Sequence, residues 1–257
     1  MEQTILLCED DLESIYTAIF VAYELKLNPK NTHIQFDGME TMEFFTEYIY
    51  VDRDSQKAER VAKGLLRKFG ETVFEQFMYL LCAESPKRAD VLYHIIDLGF
   101  SLKYPETIFQ NLGNAWVMEG FEMKRKANKE LLHLMGFLRF EELKSGILFA
   151  KFHPKTDCIL FLARHFADRF PSENFVIYDM KRKKCIIHPY RSQWILRTNV
   201  EMEDFSSLEE SDKEHFFELL YKEFCKTIAI KERKNEKLQQ NMLPHHFRDC
   251  MVEFSKD

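Results

Sequence analysis

The stretch GFLRFEELKSGILFAKFHPKTDCILFLARHFADRFPSENFVIYDMKRKKCIIHPY, Gly136–Tyr190, decides the fold. At Gly136 the apolar period changes from that of a helix to that of a strand. Leu138 and Phe140 fall on one side and Arg139 and Glu141 on the other, as alternation along a strand requires. Ser145-Gly146 reads as a turn and Ile147 to Phe152 as the returning strand. Asp157 to Phe170 carries Ile159, Leu162, Ala163, Phe166 and Phe170 at helical spacing. Phe175 to Met180 and Cys185 to His188 then form a second hairpin around Lys181-Arg182-Lys183-Lys184. A hairpin, a helix and a hairpin predict a mostly antiparallel, four-stranded sheet with helices on one face.

Upstream the chain reads as mainly helical with short strands at its start. Thr4 to Cys8 is an apolar run suited to a strand, and Leu12 to Leu25 has helical spacing. Short strands are expected near His33–Phe36 and Tyr48–Val51. Asp54 or Ser55 can cap a helix that Gly70 ends, and Thr72 to Ala83 reads as the next helix. Ser85-Pro86 predicts a cap followed by proline at the first helical position. Pro105 predicts another helix, carrying Ile108, Leu112 and Trp116 and running on to Met135. Downstream, Ser211 and Glu214 form a capping box for a C-terminal helix through Phe217, Leu220, Phe224 and Ile228. The expected class is therefore α+β: one domain over 1–257, with a helical lobe (1–135) and a sheet lobe with its C-terminal helix (136–257).

At 257 residues the chain has ample capacity for a core, and its 24 Phe supply large buried areas. The net charge of −6 hides an asymmetry: Phe121–Val200 holds 16 Lys and Arg against 8 Asp and Glu. Such segregation suits a polyanion or an acidic partner meeting the middle of the chain, although basic patches of this size also occur on many soluble proteins. The six cysteines are scattered without metal-binding spacing, which predicts free, buried thiols and no metal or other cofactor. No apolar segment approaches a membrane span, the N-terminus lacks a basic leader, and the expected location is the cytoplasm.

Standard catalytic and phosphate-binding motifs are missing. Glu9-Asp10-Asp11 has a cation-binding composition, but a helix N-terminus favouring carboxylates explains it at least as well. His245-His246 in a polar tail reads as solvated. The residues with a physical case for polyanion contact are Arg139, which projects opposite its apolar neighbours, the His165/Arg169 helical turn, Arg182 and Lys183 at the hairpin tip, and Trp194. Lys231 and Arg233 form a weaker extension. Cations fix a phosphate backbone and exposed rings stack on bases. The competing reading is a solvated turn beside core aromatics.

The segments Gly136–Leu143, Leu148–Pro154, His165–Phe170 and Phe175–Asp179, with Arg182, resemble a domain-of-unknown-function family associated with DNA metabolism. Ile228–Asn235, Gln239 and Pro244 extend the resemblance, as do the first strand and helix. The resemblance implies a protein that accompanies a DNA-modification or repair radical SAM protein, in some members fused to a uracil-DNA-glycosylase-like domain. Leu132 stands where the family pattern leads one to expect a histidine, with His133 displaced by one and Glu130 in place. Three roles follow: an accessory protein binding nucleic acid, the radical SAM partner, or both; a pure protein–protein adaptor; or an enzyme acting on a nucleotide or base through Glu130, His165, Asp179 and Arg139.

Overall fold

The computed structural model describes residues 3–38, 44–202, 211–228, 235–244, 247–248 and 251. The chain divides into two compact units, Met1–Asn128 and Lys129–Asp257. Among the described residues the strands form two sheets, one in each unit.

In the first unit β1 (Gln3–Cys8), β2 (Thr32–Phe36) and β3 (Thr46–Tyr50) run parallel in the order β2-β1-β3. Ile5 to Cys8 are buried without alternation, as a central parallel strand covered on both faces must be. The parallel arrangement follows from α1 (Leu12–Glu24), which carries the chain from β1 over to β2. Its N-terminus accounts for two of the three consecutive acids. Asp11 Oδ1 accepts the backbone N–H groups of Glu13 and Ser14, and Asp10 pairs with Arg88.

Four further helices follow: α2 (Ser55–Phe69), α3 (Glu71–Leu81), α4 (Arg88–Ser101) and α5 (Ala115–Phe137). Asp54 caps α2, accepting from Gln56 N and Lys57 N, and Gly70 ends it at φ 79°. Two expectations need correction. Ser85-Pro86 does not open α4; the Ser85 hydroxyl accepts from Lys87 N, and the helix starts at Arg88. Pro105 opens only a 3-10 turn, Pro105–Gln110, which Asn111 ends. The helix restarts where Asn114 Oδ1 accepts the N–H groups of Trp116 and Val117, then continues past Gly136 to Phe137.

In the second unit the sheet has the order β4-β5-β6-β7-β8. Its strands are β4 (Glu141–Glu142), β5 (Leu148–Phe152), β6 (Phe175–Asp179), β7 (Lys184–His188) and β8 (Ile195–Thr198). The four-stranded expectation is thus short by one strand. The pairing is antiparallel except between β5 and β6, which α6 (Ile159–Arg169) joins as a parallel crossover. The extra strand, β8, is exposed at all four positions, so no buried alternation marks it in the sequence.

α6 packs on β6 and β7 through a helix face that buries Ile159, Leu162, Ala163 and Phe166. A cluster of Leu143, Phe149, Tyr178 and Cys185 fills in another part of the unit. α7 (Asp212–Ile228) and α8 (Glu236–Met242) complete the described elements. Ser211 caps α7 by accepting from Glu214 N, while the Glu214 carboxylate accepts from Glu142 N and so ties the helix start to β4. Cys8, Cys82, Cys158 and Cys185 are buried thiols outside any disulfide, and burial pushes the Cys8 thiol up to about 12. The side chains of Cys225 and Cys250 fall outside the described residues. No helix among the described residues is long and apolar enough to cross a membrane.

The helical core of the first unit is tightest at Gly99, where an added Cβ would lie 2.3 Å from Phe69 Cε1. Phe69 is itself 1% exposed and packs against the rings of Phe77 and Phe100, so its ring can shift only by disturbing them. Gly99→Ala is therefore expected to destabilise the protein by about 1–3 kcal/mol despite raising helix propensity, as urea unfolding would measure.

Candidate functional site

The most polar buried region of the second unit surrounds the loop between β5 and α6. Glu130, on the last turns of α5, is 8% exposed, and its two carboxylate oxygens accept the backbone N–H groups of Lys155 (2.8 Å) and Thr156 (3.0 Å). Arg182, from the β6–β7 turn, grips the carbonyls of the same loop. Its Nη1 donates to Thr156 O at 3.2 Å and Pro154 O at 3.4 Å, and its Nη2 to Lys155 O at 2.5 Å. A carboxylate thus takes the loop's donors and a guanidinium takes its acceptors, matching the hydrogen-bonding capacity of each group.

Asp179 anchors the guanidinium. It is fully buried at the end of β6; Oδ1 accepts from Lys181 N and Arg182 N, and Oδ2 pairs with Arg182 Nη1 at 3.3 Å. Burial pushes the Asp179 carboxyl up, and the Arg182 backbone and side chain pull it part of the way back. Lys184 Nζ meets Asp157 Oδ2 at 2.6 Å on the flank of this clasp. These contacts make Arg182 a fastener of the loop, with its side chain 19% exposed.

The other residues singled out by sequence lie at different places in the unit. Arg139 Nη1 donates to Gly136 O, and the next ring, Phe140, touches those of Phe166, Phe170 and Phe175. Arg169, exposed on the last turn of α6, sits over the Phe170 ring at 5.7 Å. The half-buried His165 ring packs edge-on to Phe166 at 4.9 Å. Lys183 lies at the β6–β7 tip and pairs with Glu201 at 2.7 Å, both side chains about half exposed. Trp194, half-buried, leads into β8. Lys231 and Arg233, like His245 and His246, lie outside the described residues. His133 contacts the rings of Phe137 and Phe247, and burial pushes its imidazole down.

Two groups of exposed cations emerge, one at each end of the larger sheet. At the β6–β7 tip, Lys181 and Lys183 adjoin a register row, Lys151–Tyr178–Cys185–Arg197, whose outer members are exposed cations. At the opposite end the β7–β8 connection folds back on the turn after α6. Arg191 N donates to Pro171 O and Tyr190 N to Asn174 Oδ1, bringing Arg191 and the exposed Tyr190 ring beside the segment that follows Arg169. The Arg191 guanidinium lies 5.1 Å from the Tyr190 ring centre. Lys151, Tyr190, Arg191 and Arg197 were not singled out by sequence. Pairing register, which aligns Lys151 with Arg197, and the loop hydrogen bonds that place Tyr190 and Arg191 are invisible in a linear reading. Lys183 and Arg191 share a second property: both hold left-handed backbone, at φ 51° and 49°.

In the first unit, His33, Asp90 and His94 bring one potential ligand atom each to within 4.8 Å of one another. Sequence reading missed this cluster because His33 is distant in the chain, although Asp90 and His94 have the one-turn helical spacing that can place two ligands together.

The chain belongs to a family of domains of unknown function, DUF4130, whose model matches residues 86–253. No curated protein matches it.

The clasp gives a direct test. Arg182→Met leaves Asp179 buried without its partner and three loop carbonyls without their donor. Breaking one side of such a pair costs about 3–5 kcal/mol. Chemical denaturation is expected to show a loss of that size for Arg182→Met, and a change within about 0.5 kcal/mol for exposed Lys151→Met.

Proposed function

We propose that this protein is an accessory component of DNA repair or modification, binding nucleic acid, a radical SAM partner protein, or both. The observation that carries the nucleic-acid half is the pair of exposed cation groups on the larger sheet, one of them built around an exposed Tyr190 ring beside Arg191. Cations neutralise phosphates with release of counterions, and a solvent-facing ring offers a stacking platform for an unpaired base. The β6–β7 tip, with Lys181 and Lys183, and the β7–β8 connection, with Arg191, lie beyond opposite ends of strands of five residues, a spacing of roughly 16 Å or more at the strand rise. That distance suits phosphates several nucleotides apart along a strand better than one small anion. The clasp residues Glu130 and Asp179 are engaged with backbone N–H groups, which favours binding over catalysis by these carboxylates.

The left-handed backbone at Lys183 and Arg191 supports the same reading. A side chain with a Cβ is disfavoured there by roughly 1–2 kcal/mol, and glycine is the residue that relieves the strain. A cation at both positions fits a charge-dependent function, although Lys26, Phe45 and Asn199 hold the same backbone. The pair between Lys183 and Glu201 lies at the surface, where a phosphate can displace the carboxylate. For the partner half, the support is α7, where Phe216, Phe217, Leu219, Leu220 and Phe224 are each more than half exposed. Rings and leucines gathered on one helix favour a protein contact.

The test is a titration of the full chain with single- and double-stranded oligonucleotides at several salt concentrations. Binding that weakens steeply with salt is expected; no binding at low salt would sink the nucleic-acid half and leave the partner half, read by co-purification with the radical SAM protein. The strained cations sharpen this. Lys183→Gly and Arg191→Gly are expected to keep thermal stability within about 1 kcal/mol of the parent or raise it. Each should nonetheless lower the salt slope, by about 0.7 for every single-strand phosphate that is no longer neutralised.

A further inference from the structure

Beyond any role in nucleic-acid binding, we propose that His33, Asp90 and His94 form a binding site for a divalent transition-metal ion of the zinc type. Asp90 and His94 project from one face of α4, one turn apart, and His33 comes from β2. His33 Nδ1 lies 3.0 Å from Asp90 Oδ2, and His94 Nε2 lies 3.4 Å from Asp90 Oδ1. Two ligands bound at about 2.0–2.1 Å in tetrahedral geometry stand roughly 3.3 Å apart, so the two separations from Asp90 need little adjustment, while all three ligand atoms lie within 4.8 Å of one another. Two imidazoles and one carboxylate form a donor set that suits zinc and leaves a fourth position for water.

A second observation points to a missing ligand. His94 is 8% exposed, and its Nε2 meets Asp90 Oδ1 only at 3.4 Å, without satisfactory hydrogen-bond geometry. Buried polar atoms in folded proteins almost always have well-made hydrogen bonds, and a bound ion or water would complete the bonding of this one. The ring is also fixed in orientation: Trp116 stacks on it at 4.0 Å with 17° between planes. Asp90 is held too, since its Oδ1 accepts the backbone N–H of Ile34 at 3.1 Å. Outer contacts of this sort orient metal ligands. Entry is from the His33 side, the side chain of which is 28% exposed against 13% for Asp90.

The competing role is a hydrogen-bonded tie between β2 and α4 that needs no metal. Chelator-treated full-length protein titrated with Zn2+, by calorimetry and by competition with a chromogenic chelator, separates the two. One ion per chain is expected, with excess Zn2+ raising Tm by linkage. Loss of an outer contact alone weakens metal sites by 10–100-fold, so His33→Gln and His94→Gln should each lower affinity by more than about a hundredfold. His245→Ala combined with His246→Ala should leave affinity unchanged, since the tail histidines are the obvious competing ligands. His33→Gln, at the more exposed position, guards against a result confounded by misfolding of the His94 variant. Absence of binding by the parent protein, or binding that survives His33→Gln but not loss of the tail pair, would overturn the proposal. Neither result bears on the oligonucleotide titration, so the two readings fail independently.

Discussion

Two opposite charges hold one loop. The carboxylate of Glu130 accepts the backbone N–H groups of residues 155 and 156, and the guanidinium of Arg182 donates to the carbonyls of residues 154 to 156. A loop between a strand and a crossover helix has few backbone partners of its own, and buried peptide groups must find some. Here side chains supply them from two other elements, α5 and the β6–β7 turn. That grip fixes the path of the chain from β5 into α6, the crossover that makes β5 and β6 parallel. Asp179 completes it by giving Arg182 a buried counter-charge in addition to its carbonyl partners. One carboxylate, one guanidinium and one further carboxylate therefore link three separate segments of the family-matched region.

Much of the secondary structure was legible because it rests on local chemistry. The Asp54 cap and Gly70 stop of α2, the β1 run, α6 and the β6–β7 hairpin all appear where periodicity and capping residues place them. The failures have physical causes. Pro105 looked like a helix start because proline fits any first turn; a 3-10 turn accepts it equally, and Asn114 supplies the cap that starts the next helix. The helix-to-strand change at Gly136 was placed correctly in kind but early. α5 runs one residue past that glycine, leaving β4 only two residues long.

The candidate site was legible in part. Arg182 was conspicuous as one of four consecutive basic residues, but only in the fold does it grip backbone while Lys183 beside it reaches a surface partner. Alternation distinguishes the two faces of a strand; it cannot say which member of a turn folds inward. Lys151 and Arg197 illustrate the complementary gap, since they share a row only through the pairing of four strands. The His33–Asp90–His94 cluster illustrates it across a longer span, joining a strand to a helix that begins some fifty residues later.

β8 closes the larger sheet, and its outer side has no neighbouring strand among the described residues. Such an edge is a template on which another chain can add by backbone hydrogen bonding. This one is a poor template. It has only four residues, one of them the cation Arg197, and the left-handed Asn199 follows it immediately. Ile195 and Leu196 would otherwise invite stacking of one molecule on the next. The brevity that hid the strand from sequence reading also protects the protein against growing into fibres.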